Sequence, residues 1–424
     1  MRSSVFLMAS LPLTLLAAAC ASTATPNEPT PGGGGSSVGQ DAGGPNSGGG
    51  TKDTGSTSSP PTKDSGTSPA ESAAPPVGGY TVSGPTVLDA AGKPHLFRGV
   101  ARPSLEWSSA GDQLSQGDYG VISAWGANVV RISLNQDFWL QNDGSGGSNP
   151  SYDPSYAATV DQQVQWAETA MPPLDVILDL HWSDKGDFNT EAQCKGAATG
   201  CQQVMADAHS VLFWQQVAAK YKNDPHVLFE LYNEPNLGGY QPQSSNWQAW
   251  LNGDTTNASG FTVIGMQKLY DTVRATGAKN LVVIGGLAWA SDLSGVSSSP
   301  VNGTNILYAA HPYCTSNCAQ AAAQNTWTAN FGSLAAKYPI IATEFGDRST
   351  SCTADYPSAF IAYTNKKATN GNNPPNELSW TAWAFYVVSQ NDTAHQCAFP
   401  TLLKDYYDPN PFGTLVENAL MAGP

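Results

Sequence analysis

Charge is scarce in this chain of 424 residues: Asp, Glu, Lys and Arg together make 12%, and the 19 bases are outnumbered by 34 acids, a formal net charge of −15. Five acids and two bases fall in residues 21–78 and one arginine in the leader, which leaves about −13 on the remainder. A surface with that balance repels phosphate backbones and other polyanions, so nucleic acid and acidic polysaccharides are poor partners and a neutral substrate fits better. Metal signatures are also lacking. The six histidines form no HxH or HExxH pair and the seven cysteines no CxxC pair. Neither a metal nor a cofactor is expected. No GxGxxG follows the first strand pattern, which argues against a dinucleotide-binding sheet. The apolar stretch Val5 to Ala19, broken by Ser10, Pro12 and Thr14, is too short to cross a bilayer.

What is present begins with a leader. Met1-Arg2, the apolar stretch and Ala17-Ala18-Ala19 have the form of a secretory signal. Cys20 follows directly and resembles the lipidated cysteine of a bacterial lipobox, although Ala17 stands where Leu is usual. Residues 1–20 are therefore expected to be a signal with Cys20 as lipidation site, with plain secretion the alternative. Residues 21–78 are Gly, Ser, Thr, Pro, Ala and Asp with no apolar periodicity, the composition of a flexible tether that cannot offset its ordering entropy by burial. The protein is expected outside the cytoplasm as a monomer, touching a membrane only through that anchor. The other six cysteines, Cys194, Cys201, Cys314, Cys318, Cys352 and Cys397, are an even set that reads as disulfides. Proximity favours 194 with 201, 314 with 318 and 352 with 397 among 15 possible connectivities.

From residue 79 to 424, eight apolar runs rich in β-branched residues alternate with helical spacing. They start at Leu96, Asn128, Leu174, His226, Leu281, Asn305, Ile340 and Trp380. Helical patterns cover Tyr156 to Ala170, Val211 to Tyr221, Phe261 to Thr276, Ala319 to Lys337 and Ala359 to Thr369. Continuous apolar strands mean a sheet covered on both faces, and strand-then-helix order means parallel pairing. Eight such units predict an α/β fold, a (β/α)8 TIM barrel with enlarged loops, whose chemistry sits at the strand C-termini.

Functional side chains cluster where that rule puts them: Arg131 in strand two, His181 after strand three, Asn233 and Glu234 after strand four, His311 and Tyr313 after strand six, Glu344 ending strand seven and Trp383 in strand eight. Cleavage of a glycosidic acetal needs one carboxylic acid to protonate the departing oxygen and one carboxylate to trap the oxocarbenium centre. Glu234 and Glu344, 110 residues apart, could face each other across the mouth. Asp179 and Glu230 lie inside strands and read as structural.

The run VLFELYNEPN (Val227 to Asn236), DLHW around His181, HPY at His311 to Tyr313, ATEFG around Glu344 and VVRISL around Arg131 together resemble glycoside hydrolase family 5, a resemblance running from about Tyr80 to the C-terminus. It implies a retaining hydrolase of β-linked neutral glycans, with Glu234 as acid/base and Glu344 as nucleophile. Arg131 and Tyr313 would hold Glu344, Asn233 would bind the sugar 2-hydroxyl, His181 and His311 would line the subsite, and Trp383 would lie under the sugar. Glucan, mannan, xylan and small glycosides all stay open, as does a tethered binder that kept the cleft without catalysis. Seven of the 12 tryptophans fall at or beyond strand ends. Sugar faces stack on such rings, and Trp139, Trp182 and Trp289, with Asn135 and Asp292, are the further substrate-binding candidates.

Overall fold

The computed structural model describes residues 79–142, 144, 146–183, 202–256, 259–314, 320–348, 353–368, 371–388 and 399–423. Residues 1–78, expected to hold the leader and tether, and every cysteine but Cys314 lie outside the described residues. Eight strands form a closed, all-parallel barrel: β1 (Arg98–Arg102), β2 (Val129–Asn135), β3 (Asp175–Trp182), β4 (Val227–Glu230), β5 (Val282–Gly285), β6 (Ile306–Ala310), β7 (Ile340–Ala342) and β8 (Ser379–Ala382). Each pairs with its neighbours in sequence, and β8 closes the ring on β1 through Trp380 opposite Arg98. All eight expected strands are there, within a few residues at each end. At Gly99 a Cβ would stand 1.8 Å from the Val129 carbonyl, so the approach of β1 to β2 admits no side chain there.

Helices α1 (Gln116–Ala124), α2 (Gln136–Trp139), α3 (Tyr156–Glu168), α4 (Ala208–Tyr221), α5 (Ser244–Asn252), α6 (Met266–Ala275), α7 (Gln320–Asn330), α8 (Asp355–Thr364) and α9 (Pro411–Met421) surround the barrel. The sequence patterns anticipated α3, α4, α6, α7 and α8 but not the others. The α4 start is set by Asp207, whose side chain accepts from the Ser210 amide while Ser210 returns the bond to the Asp207 amide. At α9, Asn410 caps the Gly413 amide and Pro411 occupies the first turn. After β5 the strand-then-helix rule fails. That unit carries only the 3-10 turn Ser294–Ser297.

Side-chain alternation divides two cores. On β2 and β3, Val130, Ile132, Leu134, Val176, Leu178 and Leu180 face outward and pack with the helices, including Phe213, Trp214 and Val217 of α4. Phe97, Val129, Ile177, Leu228, Val283, Leu307 and Ile341 fill the lower interior. A fully buried Phe or Leu stabilises by about 1.5–3 kcal/mol, and this layer makes the lower barrel a dry plug. Higher up, the inward positions turn polar: Arg131, Asp179, Glu230 and Thr343 are all fully buried.

A small antiparallel sheet, Thr81–Ser83, Thr86–Leu88 and Pro94–His95, covers the lower end. Tyr80 packs on His95 and Phe97, with ring centroids 4.9 and 5.1 Å away, and its hydroxyl donates to Asp175 at 2.5 Å. The other Asp175 oxygen faces His226 Nδ1 at 2.9 Å. That hydrogen bond raises the His226 pKa above the ordinary histidine value, against partial burial. Glu168 is pushed up to about 7 by burial and by Asp224 beside it.

Both shifts favour the protonated forms in the folded state. The stability Glu168 contributes on protonation is lost as pH rises from 4.5 to about 7, and that of His226 as pH rises through and beyond the ordinary histidine range. The melting temperature should therefore fall by a few degrees between mildly acidic and mildly alkaline buffer. Glu168→Gln should flatten the acid part of that fall, and an unchanged slope in calorimetry would show that this lower cluster does not carry it.

Candidate active site

The polar groups gather at the C-terminal mouth of the barrel. Past β4 the chain stays extended for a few residues because the Leu231 amide donates to Val283 and the Asn233 amide to Leu180, which carries Asn233 and Glu234 over the opening. Pro235 then turns the chain, and its carbonyl accepts from the Trp289 amide at 3.0 Å. Tyr313 begins a two-residue strand that pairs in parallel with Gly346–Asp347, which pins its ring beside Glu344, two residues past β7.

Arg131 is the centre of this layer. Its Nε meets Glu230 at 2.6 Å, Nη1 meets Glu344 Oε1 at 2.6 Å, and Nη2 meets both Asn233 Oδ1 at 2.7 Å and Asp179 at 2.9 Å. Burial would lower its pKa, but Asp179, Glu230 and Glu344 more than offset this, so the guanidinium stays charged. The other Glu344 oxygen accepts from the Tyr313 hydroxyl at 2.6 Å. Burial, then the Glu344 charge, holds that phenol protonated. Glu344 is thus gripped at both oxygens by hydrogen-bond donors.

His181 Nδ1 lies 2.7 Å from Asp179 and its ring stacks on Trp383 at 5.3 Å and 11°. Burial pushes its pKa down to about 4, so the ring is neutral, donating through Nδ1 to Asp179, with Nε2 facing the Asn233 amide at 3.4 Å. Asp179 is pushed up to about 7 by burial, with Arg131 opposing. The Asn233 amide also donates to Gln202 at 2.8 Å, and Gln202 in turn donates to the Glu234 carbonyl at 2.6 Å.

Glu234 faces His311 Nδ1 at 3.0 Å, and His311 Nε2 lies 2.9 Å from Thr343. Burial alone would raise Glu234 and lower His311. The bond and charge of His311 lower Glu234 instead, while Glu344 and Glu234 raise His311, so the pair readily holds a proton between them. Glu234, Glu344 and His311 each bring one oxygen or nitrogen within 4.8 Å of the others. A cation could bridge such a spacing, but the His311 nitrogen in question is already engaged by Glu234.

Of the residues expected from sequence, Arg131, His181, Asn233, Glu234, His311, Tyr313, Glu344 and Trp383 meet in this one cluster. Trp182 lies at the rim, 6.5 Å from Trp107, which also packs edge-on to Tyr386 and Phe399. Trp289 pairs with the exposed Tyr240 at 4.4 Å. It sits in a turn where Ala288, Trp289 and Ala290 all have φ of 55–57°. Left-handed backbone costs roughly 1–2 kcal/mol per residue, and the turn is held at its ends by Pro235 and by the His311 amide, which donates to Ala290.

Three candidates stand elsewhere. Trp139 is buried against Tyr156 and Phe213, with Nε1 bonded to Gln216. Asn135 is fully buried, caps α2 through the Asp137 amide and donates to the Glu106 carbonyl. The Asp292 side chain accepts from the Ser294 amide at 2.7 Å, just ahead of the 3-10 turn. Trp247 and Trp250 also belong to the core, on α5. The sequence reading missed Gln202, Thr343, Tyr240, Tyr386 and Phe399, and counted Trp107 among the seven strand-end tryptophans without singling it out. Cys314 is buried and disulfide-bonded. Cys20, Cys194, Cys201, Cys318, Cys352 and Cys397 lie outside the described residues, so the expected pairing and lipidation are not seen.

A family model described as cellulase (glycosyl hydrolase family 5) matches residues 88–386. Relatives include Cellulase CelDZ1 of Thermoanaerobacterium sp, 26% identical over 54% of this chain and 50% of its own length. An endoglucanase of Clostridium saccharobutylicum is 24% identical over 77% of this chain and 61% of its own. Endoglucanase C of Evansella cellulosilytica is 23% identical over 73% of this chain and 36% of its own. The chain thus spans less than two thirds of each of these three relatives. Among solved structures, a β-glucanase from Saccharophagus degradans in complex with cellotetraose superposes with a TM-score of 0.60 at 22% identity, covering 81% of this chain and 93% of that one. The catalytic domain of a Thermobifida fusca endoglucanase gives 0.55 at 16%, covering 81% and 98%. These likenesses show the fold.

Removing the central cation tests its role. Arg131→Met leaves Asp179, Glu230 and Glu344 without their common partner, and breaking a buried pair costs about 3–5 kcal/mol. The melting midpoint should fall by several degrees and soluble yield with it, while Arg131→Lys, which keeps charge but not the fork, should lie between. A midpoint for Arg131→Met equal to the parent would remove Arg131 from the centre of the network.

Proposed function

The chain belongs to glycosyl hydrolase family 5, and from that premise we propose that it cleaves β-linked glucan chains by double displacement with retention of anomeric configuration. The observation that carries the reading is the pair Glu234 and Glu344, with oxygens within 4.8 Å. Retaining enzymes need carboxyls close enough for direct attack, at about 5–5.5 Å, whereas inverting ones leave room for a water at about 6.5–9.5 Å. The two acids also have different partners. Glu344 receives Arg131 and Tyr313, while Glu234 faces His311 Nδ1.

In the first step Glu344 attacks the anomeric carbon as the bond to the leaving oxygen breaks, and Glu234 gives that oxygen a proton. In the second, Glu234 takes a proton from water, which attacks the same carbon and releases Glu344. Asn233 binds the 2-hydroxyl. Its long contact to His181 Nε2, 3.4 Å, is the bond most easily exchanged for a sugar oxygen. Trp383, braced on His181, lies under the ring at the cleavage point.

Aromatic rings extend the cleft on both sides: Trp182 at the end of β3 with Trp107, Tyr386 and Phe399 on the loops after β1 and β8, and Tyr240 with Trp289 on those after β4 and β5. Platforms on two sides support attack within a chain rather than at its end. A glucan is favoured over mannan or xylan because the relatives are named cellulases and endoglucanases and a structural neighbour is a β-glucanase in complex with cellotetraose. The intact acid pair argues against a binder without activity. The leader, Cys20 and the composition of residues 21–78 support a monomeric enzyme held on a tether outside the cytoplasm, lipid-anchored or released. No helix among the described residues is long and apolar enough to cross a membrane.

Hydrolysis of cellopentaose followed by proton NMR should show the new reducing ends first as the β-anomer; an initial α-anomer would exclude retention. Glu344→Gln should bring turnover to background. Glu234→Ala should lose about 10²–10⁴-fold and recover with azide, giving a β-glycosyl azide. Trp289→Ala should raise KM for cellopentaose by about 3- to 10-fold with kcat little changed, and an unchanged KM would take this ring out of the cleft.

A further inference from the structure

We propose that Thr343 and Glu230 form a positioning relay that fixes the proton of His311 on Nε2, so that His311 and Glu234 titrate as one unit holding a single proton. The proposal rests on the acid role given above to Glu234. Its basis is donor arithmetic in a buried chain of four groups. Glu230 Oε2 receives Arg131 Nε at 2.6 Å; burial raises the Glu230 pKa while the Arg131 charge and bond oppose that rise, and in the carboxylate form that Arg131 favours the other oxygen can only accept. The Thr343 hydroxyl lies 2.7 Å from that oxygen and has one proton to give. Having given it to Glu230, Thr343 can only accept from His311 Nε2 at 2.9 Å. Nε2 therefore carries hydrogen, and neutral His311 presents a lone pair at Nδ1.

Nδ1 faces Glu234 Oε1 at 3.0 Å. Two lone pairs at that distance repel, so one proton must lie between them, as imidazolium with carboxylate or as imidazole with carboxylic acid. Glu344 Oε2, 3.7 Å from Nδ1, adds a negative charge that favours keeping the proton. The other charged or titratable groups around the ring are Arg131, Asp179 and His181 from β2 and β3, and beyond Glu234 the Arg348 guanidinium, which lies over the Tyr313 ring. The relay thus delays loss of the acid proton as pH rises. Without it, His311 could change tautomer and donate from Nδ1 to ionised Glu234, which would stabilise the form that is useless as an acid.

Thr343→Val keeps the side-chain shape and removes the hydroxyl, and Thr343→Ser keeps the hydroxyl. In kcat/KM profiles on cellopentaose, the alkaline limb of Thr343→Val should move down by about one pH unit, while Thr343→Ser follows the parent and melting temperatures stay close. Superimposable limbs for Thr343→Val and the parent, or equal shifts in both variants, overturn the relay. If Thr343→Val does not fold, ¹⁵N-histidine NMR of the full chain decides. Neutral His311 protonated at Nε2 supports the relay, and an Nδ1–H tautomer refutes it. The NMR result holds even if no β-glucan is hydrolysed, an outcome that would sink the proposed function separately.

Discussion

One buried guanidinium organises this molecule. Arg131 reaches from β2 to Asp179 on β3, Glu230 on β4, Asn233 beyond β4 and Glu344 beyond β7. It therefore ties neighbouring strands to one from the far side of the barrel. Such a network is not a route to stability, since desolvating several charges costs much of what their attraction returns. What it supplies is position. A planar fork with five donors allows few alternative arrangements of its partners, and the catalytic geometry proposed here needs Glu344 fixed in direction as well as in charge.

The apolar layers below give that network its strength. Phe97, Val129, Ile177, Leu228, Val283, Leu307 and Ile341 fill the lower barrel and keep water from reaching the polar layer from beneath. In such surroundings charges interact more strongly than in water, and an unpaired charge is correspondingly costly. This explains why so few polar atoms in the layer stand alone and why the histidines there differ. His181 is buried against an anion already shared with Arg131 and stays neutral. His311 faces two acids that Arg131 serves only in part and is raised. The difference lies in neighbours rather than in burial, since both rings are enclosed.

The sequence showed the barrel because each strand is a short run covered on both faces, and it showed the acids because they stand where strands end. Direction was less legible than position. Trp139 and Trp182 both follow strands, yet Trp139 sits in a helical turn that points it at Phe213, and Trp182, still in β3, stays at the rim. Asn135 has the polarity of a sugar ligand but spends both ends of its amide on a helix cap and a carbonyl. Gln202 and Tyr240 come from irregular loops, where no periodicity says which way a side chain turns. Thr343 reads as an ordinary β-former. Its partner Glu230 is 113 residues away, and only closure of the barrel brings β4 and the end of β7 to the same height.

That closure also links the two acids electrically, although they do not bond each other. Arg131 binds Glu344 directly and binds Glu230, which receives the Thr343 hydroxyl and, through it, orients the His311 ring that faces Glu234. The same cation thus positions one acid directly and, through the relay, acts on the proton beside the other. In the proposed mechanism Glu344 gives up its charge to a covalent bond; Nδ1 of His311 then loses an anion 3.7 Å away, and the proton between His311 and Glu234 is held less tightly. The attraction that keeps a proton on the His311–Glu234 pair therefore weakens as the leaving oxygen needs that proton. A network that fixed both acids independently would not have this coupling.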